Sequence, residues 1–107
     1  MIVYGIPTCD TVRKARKALE AAGKAPEFHD VRETPLTPAQ IARFEAAFGD
    51  KLLNKSSTAW RGLSDAERTQ PTAALIAAHP TLMKRPVIEE GDRLTLGWKA
   101  DAQAVWL

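Results

Sequence analysis

The sequence is poor in cysteine, because Cys9 is the only one among its 107 residues. An internal disulfide therefore cannot form, and a C-x-x-C dithiol is excluded because Val12 stands where the second cysteine would be needed. Histidine is also scarce, and one cysteine with two separated histidines, His29 and His79, gives no recognisable set of metal ligands. We expect no bound metal, and we expect any chemistry at Cys9 to be that of a single thiol.

Long apolar runs and an excess of one charge are also missing. The run AALIAA at 73–78 is far shorter than the roughly 20 residues that a membrane helix needs. Fifteen Lys and Arg residues against 13 Asp and Glu residues give a formal net charge of +2, with the two signs interleaved. We therefore expect no membrane partner and no nucleic-acid partner. Without a secretory-signal pattern or a cofactor motif, we expect a cytoplasmic protein with no bound cofactor.

The spacing of apolar residues in the first part of the chain predicts two strands separated by a helix. Residues 1–4 form a short apolar, β-branched and aromatic run, typical of a buried strand, and Gly5 is interpreted as the start of the following turn. Residues 27–31 alternate between polar and apolar side chains, which predicts a second strand. Because a helix separates the two strands, we expect them to pair in parallel.

The helix between these strands is predicted over 10–22, where apolar residues recur at three- and four-residue steps. Thr8 or Asp10 is expected to be its N-cap, and Gly23 is expected to end it. Its basic side chains beyond the first turn are interpreted as a solvated face: Lys14, Arg16 and Lys17.

The middle of the sequence is typical of helices. Thr37 and Pro38 are expected to open one, since proline is favoured at the first helical position, and Gly49 is expected to end it. Several short helices are predicted after that, as far as Pro80, with cap-forming serines at the starts of two of them: Ser57 and Ser64.

The end of the chain predicts a hairpin and a closing helix. The strands are expected over 86–89 and 93–96 around a turn at 90–92, and the helix over 100–106. This order of elements predicts an α/β fold with a small four-stranded mixed sheet. A single domain, 1–107, is expected, with a helical insertion at about 38–80 between the β-α-β and β-β-α halves.

Cys9 lies at the junction of the first strand and the first helix. The thiolate is the reactive form of cysteine, and helix N-termini and nearby cations favour it. Arg13 lies one turn further along the same helical face, so a nucleophilic thiolate is one interpretation. The other is that Cys9 is a small packing residue and Arg13 a solvated charge. A Cys-x5-Arg phosphate loop is excluded by Ala15.

A second candidate segment is the proline that enters the predicted hairpin. A cis X-Pro bond is usually a retained feature of a tight turn, so Pro86 could shape the wall of a site. Arg85 beside it could hold an oxyanion, a carboxylate or a sulfur anion. The alternative, of equal weight, is a trans proline at a sheet edge next to a solvated basic pair.

Several segments together resemble the ArsC/Spx family, and the small YffB-like proteins most of all. They are YGIPTCDTVRKA at 4–15, FHD at 28–30, LNKSSTAWR at 53–61 and MKRPV at 83–87. The resemblance implies a thioredoxin-like, or glutaredoxin-like, fold with a helical insertion. It also implies that Cys9 is the nucleophile, that Arg13 lies behind it, and that Arg85 lies across the site beside a cis Pro86.

The function that this resemblance implies is a monothiol, glutathione-dependent thiol reductase. Glutathione is its expected co-substrate, glutathione or a glutaredoxin-like thiol donor its expected partner, and a small anionic or thiol compound its expected substrate. Three alternatives stay open. One is an arsenate reductase dependent on glutathione and glutaredoxin, and another is a Spx-like regulator that docks on RNA polymerase. The third is a protein that has the family fold but none of its chemistry.

Arsenate reductases of this family bind the oxyanion with three arginines, and this sequence matches one of them, Arg85. Asn54 and the segment 96–98 stand where the others are expected. Arg61 and Lys55 are candidates for additional anion contacts. Thr8, like Pro86, is expected to shape the site, and His29 is either a proton donor or a packed strand histidine.

Overall fold

The computed structural model describes all residues, 1–107, and divides them into two compact units. The first unit consists of Met1–Val31 and Arg85–Leu107, and the second consists of Arg32–Lys84. The helical segment predicted as an insertion at about 38–80 lies within the second unit. The single-domain interpretation of 1–107 stays a prediction.

The first unit is built on a four-stranded mixed sheet with the strand order β2-β1-β3-β4. The bounds are β1 (Ile2–Gly5), β2 (Glu27–Asp30), β3 (Val87–Glu90) and β4 (Arg93–Leu96). β1 pairs in parallel with β2 and antiparallel with β3, and β3 pairs antiparallel with β4. The predicted mixed sheet, the parallel pair and the hairpin are thus confirmed.

Six α-helices accompany the sheet, and the first and last of them belong to the first unit. Their bounds are α1 (Asp10–Ala21), α2 (Pro38–Phe48), α3 (Thr58–Arg61), α4 (Asp65–Arg68), α5 (Thr72–Ala78) and α6 (Ala100–Trp106). Two short 3-10 helices occupy Gly49–Leu52 and Pro80–Leu82. No helix is long and apolar enough to cross a membrane.

The core of the first unit forms where α1 and α6 pack against one face of the sheet. Apolar residues three and four positions apart share one side of a helix, so α1 presents a continuous apolar stripe. The buried cluster consists of Val3, Val12, Ala15, Leu19, Ile88 and Trp106. The indole N–H of Trp106 donates a buried hydrogen bond to Thr95 Oγ1 at 2.7 Å, so its polar atom is satisfied.

Gly5 differs from its predicted place, because it is the buried last residue of β1 and not the start of the turn. A Cβ atom built on Gly5 would lie 2.6 Å from Val12 Cγ2, which is closer than carbon atoms that are not bonded to each other approach in proteins. Glycine at this position therefore lets α1 pack directly against the end of the strand. That contact places the first turns of α1, which begins directly after Cys9, against the end of β1.

The second unit is helical and has its own buried residues. The predicted start of α2 is confirmed: Thr37 accepts a hydrogen bond from Gln40 N at 3.2 Å, and Gln40 accepts one from Thr37 N at 2.9 Å. Gly49, at φ 58°, ends α2 as predicted. The side chains of this unit that are at most 2% exposed are Ile41, Phe44, Leu52, Leu75, Ile76, Leu82 and Met83.

Ser64 caps α4 as predicted, and together with Glu67 it forms a second capping box. Glu67 Oε1 accepts a hydrogen bond from Ser64 N at 2.9 Å, and Ser64 Oγ accepts one from Glu67 N at 3.1 Å. His79 Nε2 lies 3.7 Å from Glu67 Oε2. The backbone hydrogen bond from Ser64, followed by the contributions of the Ser64 side chain and His79, lowers the pKa of Glu67 from its ordinary value of 4.5.

The lowered pKa of Glu67 predicts an acid-sensitive contribution to stability. A carboxyl group whose pKa is lower in the folded state than in the unfolded state stabilises the folded state when the pH is above the unfolded pKa. This stabilisation is lost as the pH falls through the folded pKa. We expect wild type to be more stable than Glu67→Gln at about pH 7, with the difference shrinking below about pH 4.5. Urea unfolding of both proteins at about pH 7 and below about pH 4.5 measures the difference in stability. A difference that does not change with pH would contradict the prediction.

Candidate active site

The loop that carries Cys9 is a tight turn followed directly by α1. Cys9 N donates a hydrogen bond to Ile6 O at 3.2 Å, which closes a four-residue turn. Pro7 occupies the second position of this turn, where its fixed φ is favourable. Because the turn ends at Cys9, the chain is positioned to start the helix there.

Cys9 is the N-cap of α1, so the prediction of Thr8 or Asp10 was wrong. Its backbone is extended, with φ −80° and ψ 121°, while its carbonyl accepts the first helical hydrogen bond from Arg13 N at 3.0 Å. Thr8 lies inside the turn, and Asp10 is the first residue of α1. The Cys9 side chain makes no capping hydrogen bond, so the sulfur is not used to hold the helix start.

The Cys9 side chain is half-buried and packs against the core of the first unit. One side of the residue therefore has the packing role of the alternative interpretation. The residue is also partly exposed. Its packing role is therefore observed, and its role as a nucleophile stays a prediction.

Arg13 holds the loop that precedes Cys9. Its Nε donates to Pro7 O at 3.1 Å and its Nη2 donates to Thr8 O at 3.2 Å. Asp10 Oδ1 lies 3.7 Å from the same Nη2, but both side chains are largely exposed and such pairs contribute little to stability. The guanidinium thus binds the two carbonyls immediately before Cys9. Its predicted contact with an anion stays a prediction.

The Arg85–Pro86 segment belongs to the same unit as Cys9, and its peptide bond is cis, as the resemblance implies. The alternative of a trans proline is therefore wrong. Tyr4 pairs with Val87, so the cis bond lies next to the end of β1 from which the Cys9 loop leaves. Pro86 is buried and its carbonyl accepts a hydrogen bond from Gly97 N at 2.8 Å, while Arg85 is half-buried.

His29 lies on β2 opposite Tyr4, and the two ring centroids are 5.0 Å apart. Tyr4 is buried, and its hydroxyl donates a hydrogen bond to Glu89 Oε1 at 3.0 Å. Sequence reasoning identified neither Tyr4 nor Glu89, although a single tyrosine in a buried strand signals that its hydroxyl needs a partner. The role of His29 as a proton donor stays a prediction.

Arg61 and Lys55 belong to the second unit and lie around Trp60. Arg61 is the exposed last residue of α3, and its carbonyl accepts a hydrogen bond from Arg68 Nη2 at 3.1 Å. Lys55 Nζ lies 5.6 Å from the centroid of the Trp60 ring. Asn54 Oδ1 accepts a hydrogen bond from Ser56 N at 3.1 Å, which makes Asn54 a turn residue. The anion contacts expected of Arg61 and Lys55 stay predictions.

Arg16 departs from the solvated helix face that the sequence predicted. Its Cζ lies 4.2 Å from the centroid of the Phe28 ring on β2, a distance typical of a cation–π contact. Phe28 in turn packs against the core of the first unit. The Arg16 guanidinium is therefore held in place on the surface of the first unit.

In chemical terms, the first unit has one free, partly exposed cysteine at a helix start, a loop held by Arg13, and an arginine beside a cis proline. No group of three or more His, Cys, Asp or Glu side chains is placed to hold a metal ion. The arrangement suits a reaction in which sulfur itself forms and breaks the covalent bond.

Comparison with known proteins gives matches over nearly the whole chain. The model of the ArsC family matches residues 4–105. An uncharacterized protein of Haemophilus influenzae is 40% identical over 101 residues, covering 90% of this chain and 89% of the relative. The global transcriptional regulator Spx of Streptococcus agalactiae is 29% identical over 101 residues, covering 89% of this chain and 74% of the relative.

Solved structures match equally well. A YffB protein is 36% identical with a TM-score of 0.90, and the match covers 99% of this chain and 97% of that one. An arsenate reductase (ArsC) related protein from Brucella melitensis is 34% identical with a TM-score of 0.74, covering 98% and 92%. The arsenate reductase of Vibrio cholerae, 21% identical with a TM-score of 0.78 over 99% and 96%, shares the fold.

Proposed function

This chain belongs to the ArsC family, and we propose that it is a glutathione-dependent monothiol reductase with Cys9 as its nucleophile. The observation that carries this proposal is the position of Cys9, which is accessible at the start of α1 on a loop clamped by Arg13. The family match and the likeness to an arsenate reductase related protein support an oxidoreductase.

The proposed reaction needs two thiol–disulfide exchanges. The Cys9 thiolate attacks the glutathionyl sulfur of a mixed disulfide, forms a disulfide with glutathione, and releases the substrate as a thiolate that takes up a proton. A glutathione thiolate then attacks the glutathionyl sulfur bound to Cys9, which releases oxidised glutathione and restores the Cys9 thiolate. The substrate disulfide is reduced and glutathione is oxidised, so the electrons balance. Because the sequence has no second cysteine, the resolving thiol comes from outside the chain.

Other residues of the first unit have supporting roles in this proposal. Arg13 keeps the Cys9 loop in its conformation through the carbonyls of Pro7 and Thr8. Pro86 gives a buried, fixed edge against which a thiol substrate is aligned, since its carbonyl is held by Gly97 N. Arg85 attracts the anionic part of the substrate or of glutathione.

Arsenate reduction is the second candidate, favoured by the 34% identity to the Brucella protein. Two of the three arginines expected for oxyanion binding are replaced, by Asn54 and within 96–98. Each charge-assisted hydrogen bond contributes roughly 1.5 to 3 kcal/mol, so their loss weakens arsenate binding severely. The thiol reductase needs no such set of arginines and is therefore preferred.

A regulatory role is the third candidate, favoured by the similarity to Spx. The C-x-x-C switch of Spx-type proteins is missing, and Val12, at the position of its second cysteine, is fully buried in the core. Redox sensing by a dithiol is therefore excluded. Docking on RNA polymerase does not depend on that switch and stays an alternative.

Three assays on the wild-type protein separate these candidates. We expect one glutathionyl group per chain after exposure to oxidised glutathione, measured by intact mass spectrometry. We also expect glutathione-dependent reduction of hydroxyethyl disulfide, with arsenate reduction near background in the presence of glutathione and glutaredoxin. Efficient arsenate turnover would instead favour the arsenate reductase. If Cys9 is inert in all three assays and the protein captures purified RNA polymerase, the regulator is favoured.

A further inference from the structure

α1 carries an open groove of about 180 Å³ on its exposed side. Arg13, Arg16, Lys17 and Glu20 line it. Arg16 and Lys17 lie three and four positions after Arg13, and Glu20 lies four and three positions after them, so the four residues form one stripe along the helix. Cys9 precedes Arg13 by four residues and therefore lies at the N-terminal end of the same stripe. The groove thus begins at Arg13, one helical turn beyond Cys9.

Both guanidinium groups of the groove are held before any ligand binds. Arg13 is fixed by the carbonyls of Pro7 and Thr8, and Arg16 is fixed over the Phe28 ring. Cations that are already positioned lose less side-chain freedom when they bind an anion. A basic helix face without such contacts would not have this advantage.

The charges of the groove are complementary to those of glutathione. Its side chains provide three cations and one carboxylate, while glutathione at neutral pH carries two carboxylates and one ammonium group. At 1.5 Å per residue, Arg13 lies about 6 Å along the axis from Cys9, at the near end of the groove. The sulfur of glutathione belongs to its central residue, so each carboxylate lies about one to two residues, or roughly 3.5 to 7 Å, from the point of attachment. A glutathionyl group joined to Cys9 therefore has the length to place a carboxylate at the Arg13 end of the groove.

We propose that this groove is the subsite that binds a carboxylate of glutathione, both before and after it forms a disulfide with Cys9. The proposal rests on the proposed function, because it names the binding surface of the same co-substrate. Arg13 and Arg16 supply fixed donors, and Lys17 adds a mobile charge beside them. The subsite makes the reaction selective for thiols that carry a carboxylate about one residue from the sulfur.

The test uses S-methylglutathione, whose blocked sulfur cannot exchange with a disulfide. Titration of the ¹⁵N-labelled protein at low salt is expected to shift the amide signals of 9–20 more than those of the rest of the chain. Lys17→Gln is expected to raise the Kd about two- to fivefold, the range of an exposed ion pair. Lys14→Gln, which removes the same charge outside the groove, is the matched control and is expected to leave the Kd unchanged.

A second variant tests the guanidinium over the aromatic ring. Arg16→Met keeps an unbranched side chain against Phe28 and removes the charge, so it is expected to weaken binding without altering the thermal unfolding. Binding that is insensitive to Lys17→Gln and Arg16→Met would overturn the subsite. Equal shifts with inorganic phosphate at the same concentration would also overturn it, because the groove would then bind anions in general.

Failure of the subsite and failure of the proposed function give different results. If wild type forms the Cys9 adduct with oxidised glutathione but S-methylglutathione shifts no signal of 9–20, the subsite is wrong and the reductase stands. If wild type forms no adduct and does not reduce hydroxyethyl disulfide, the proposed function and the subsite are both wrong.

Discussion

Replacement of Cys9 by serine is expected to abolish the glutathione adduct and to lower disulfide turnover to the uncatalysed rate. Thiol–disulfide exchange requires attack by sulfur, and a serine hydroxyl is neither ionised at neutral pH nor able to form a disulfide. Because Cys9 is the only cysteine, no other residue can take over the reaction. Intact mass spectrometry and the hydroxyethyl disulfide assay measure the two losses.

The same substitution is expected to leave the fold at least as stable as wild type. Cys9 occupies the N-cap of α1 without a side-chain hydrogen bond to the helix, whereas serine is among the preferred N-cap residues. A new capping hydrogen bond stabilises a helix by about 0.5 to 2 kcal/mol. Urea unfolding of both proteins measures the difference.

The Cys9→Ser protein is thus expected to lose activity without losing stability, so unfolding cannot explain the loss. A Cys9→Ser protein that is inactive and fully folded assigns the loss to the missing sulfur. Retained disulfide turnover in the folded variant would disprove the role of Cys9 as nucleophile. Retained glutathione mass would show that the mass gain is not a disulfide at Cys9.

Replacement of Gly5 by alanine is expected to destabilise the first unit by about 1 to 3 kcal/mol, the usual range for overpacking. The new Cβ would lie 2.6 Å from Val12 Cγ2. Valine in a helix has one strongly preferred rotamer, so Val12 cannot easily turn away. The remaining relief is a shift of α1 away from β1, which displaces Cys9. We therefore expect a lower urea midpoint together with slower glutathionylation.

Two further variants separate the clash from the general effect of replacing glycine. Gly62→Ala introduces a Cβ whose nearest neighbours are 3.6 Å away, in a helical conformation with φ −77° and ψ −9°. It is expected to be neutral or to stabilise by up to about 1 kcal/mol, because alanine restricts the unfolded chain. Gly5→Ala combined with Val12→Ala should cost less than the sum of the two single changes. Simple additivity would show that the Val12 contact is not the cause.

The elements of this fold could be predicted where their ends carry strong local signals. Thr37 and Pro38 mark the start of α2, and Gly49 marks its end, as the capping box and the positive φ confirm. Gly23, at φ 82°, likewise follows the end of α1. Such signals depend on neighbouring residues alone, so they can be recognised in the sequence.

The errors near the candidate site arise from contacts between distant residues or from competition between local signals. Thr8 and Asp10 are better N-caps than cysteine by propensity, but the turn closed at Cys9 decides where α1 begins. Gly5 has the local character of a turn residue, and its contact with Val12 exists only after α1 docks on β1. The Arg16 contact with Phe28 depends on the same docking.

The strand register also determines when Cys9 reaches its folded surroundings during protein synthesis. Tyr4 pairs with Val87, so roughly 80 residues must leave the ribosome before β1 has its antiparallel neighbour. At about 5 to 20 residues per second, this takes roughly 4 to 16 s. During that time the thiol belongs to an incomplete sheet on a nascent chain. The folded surroundings of Cys9 therefore exist only after nearly the whole chain has been made.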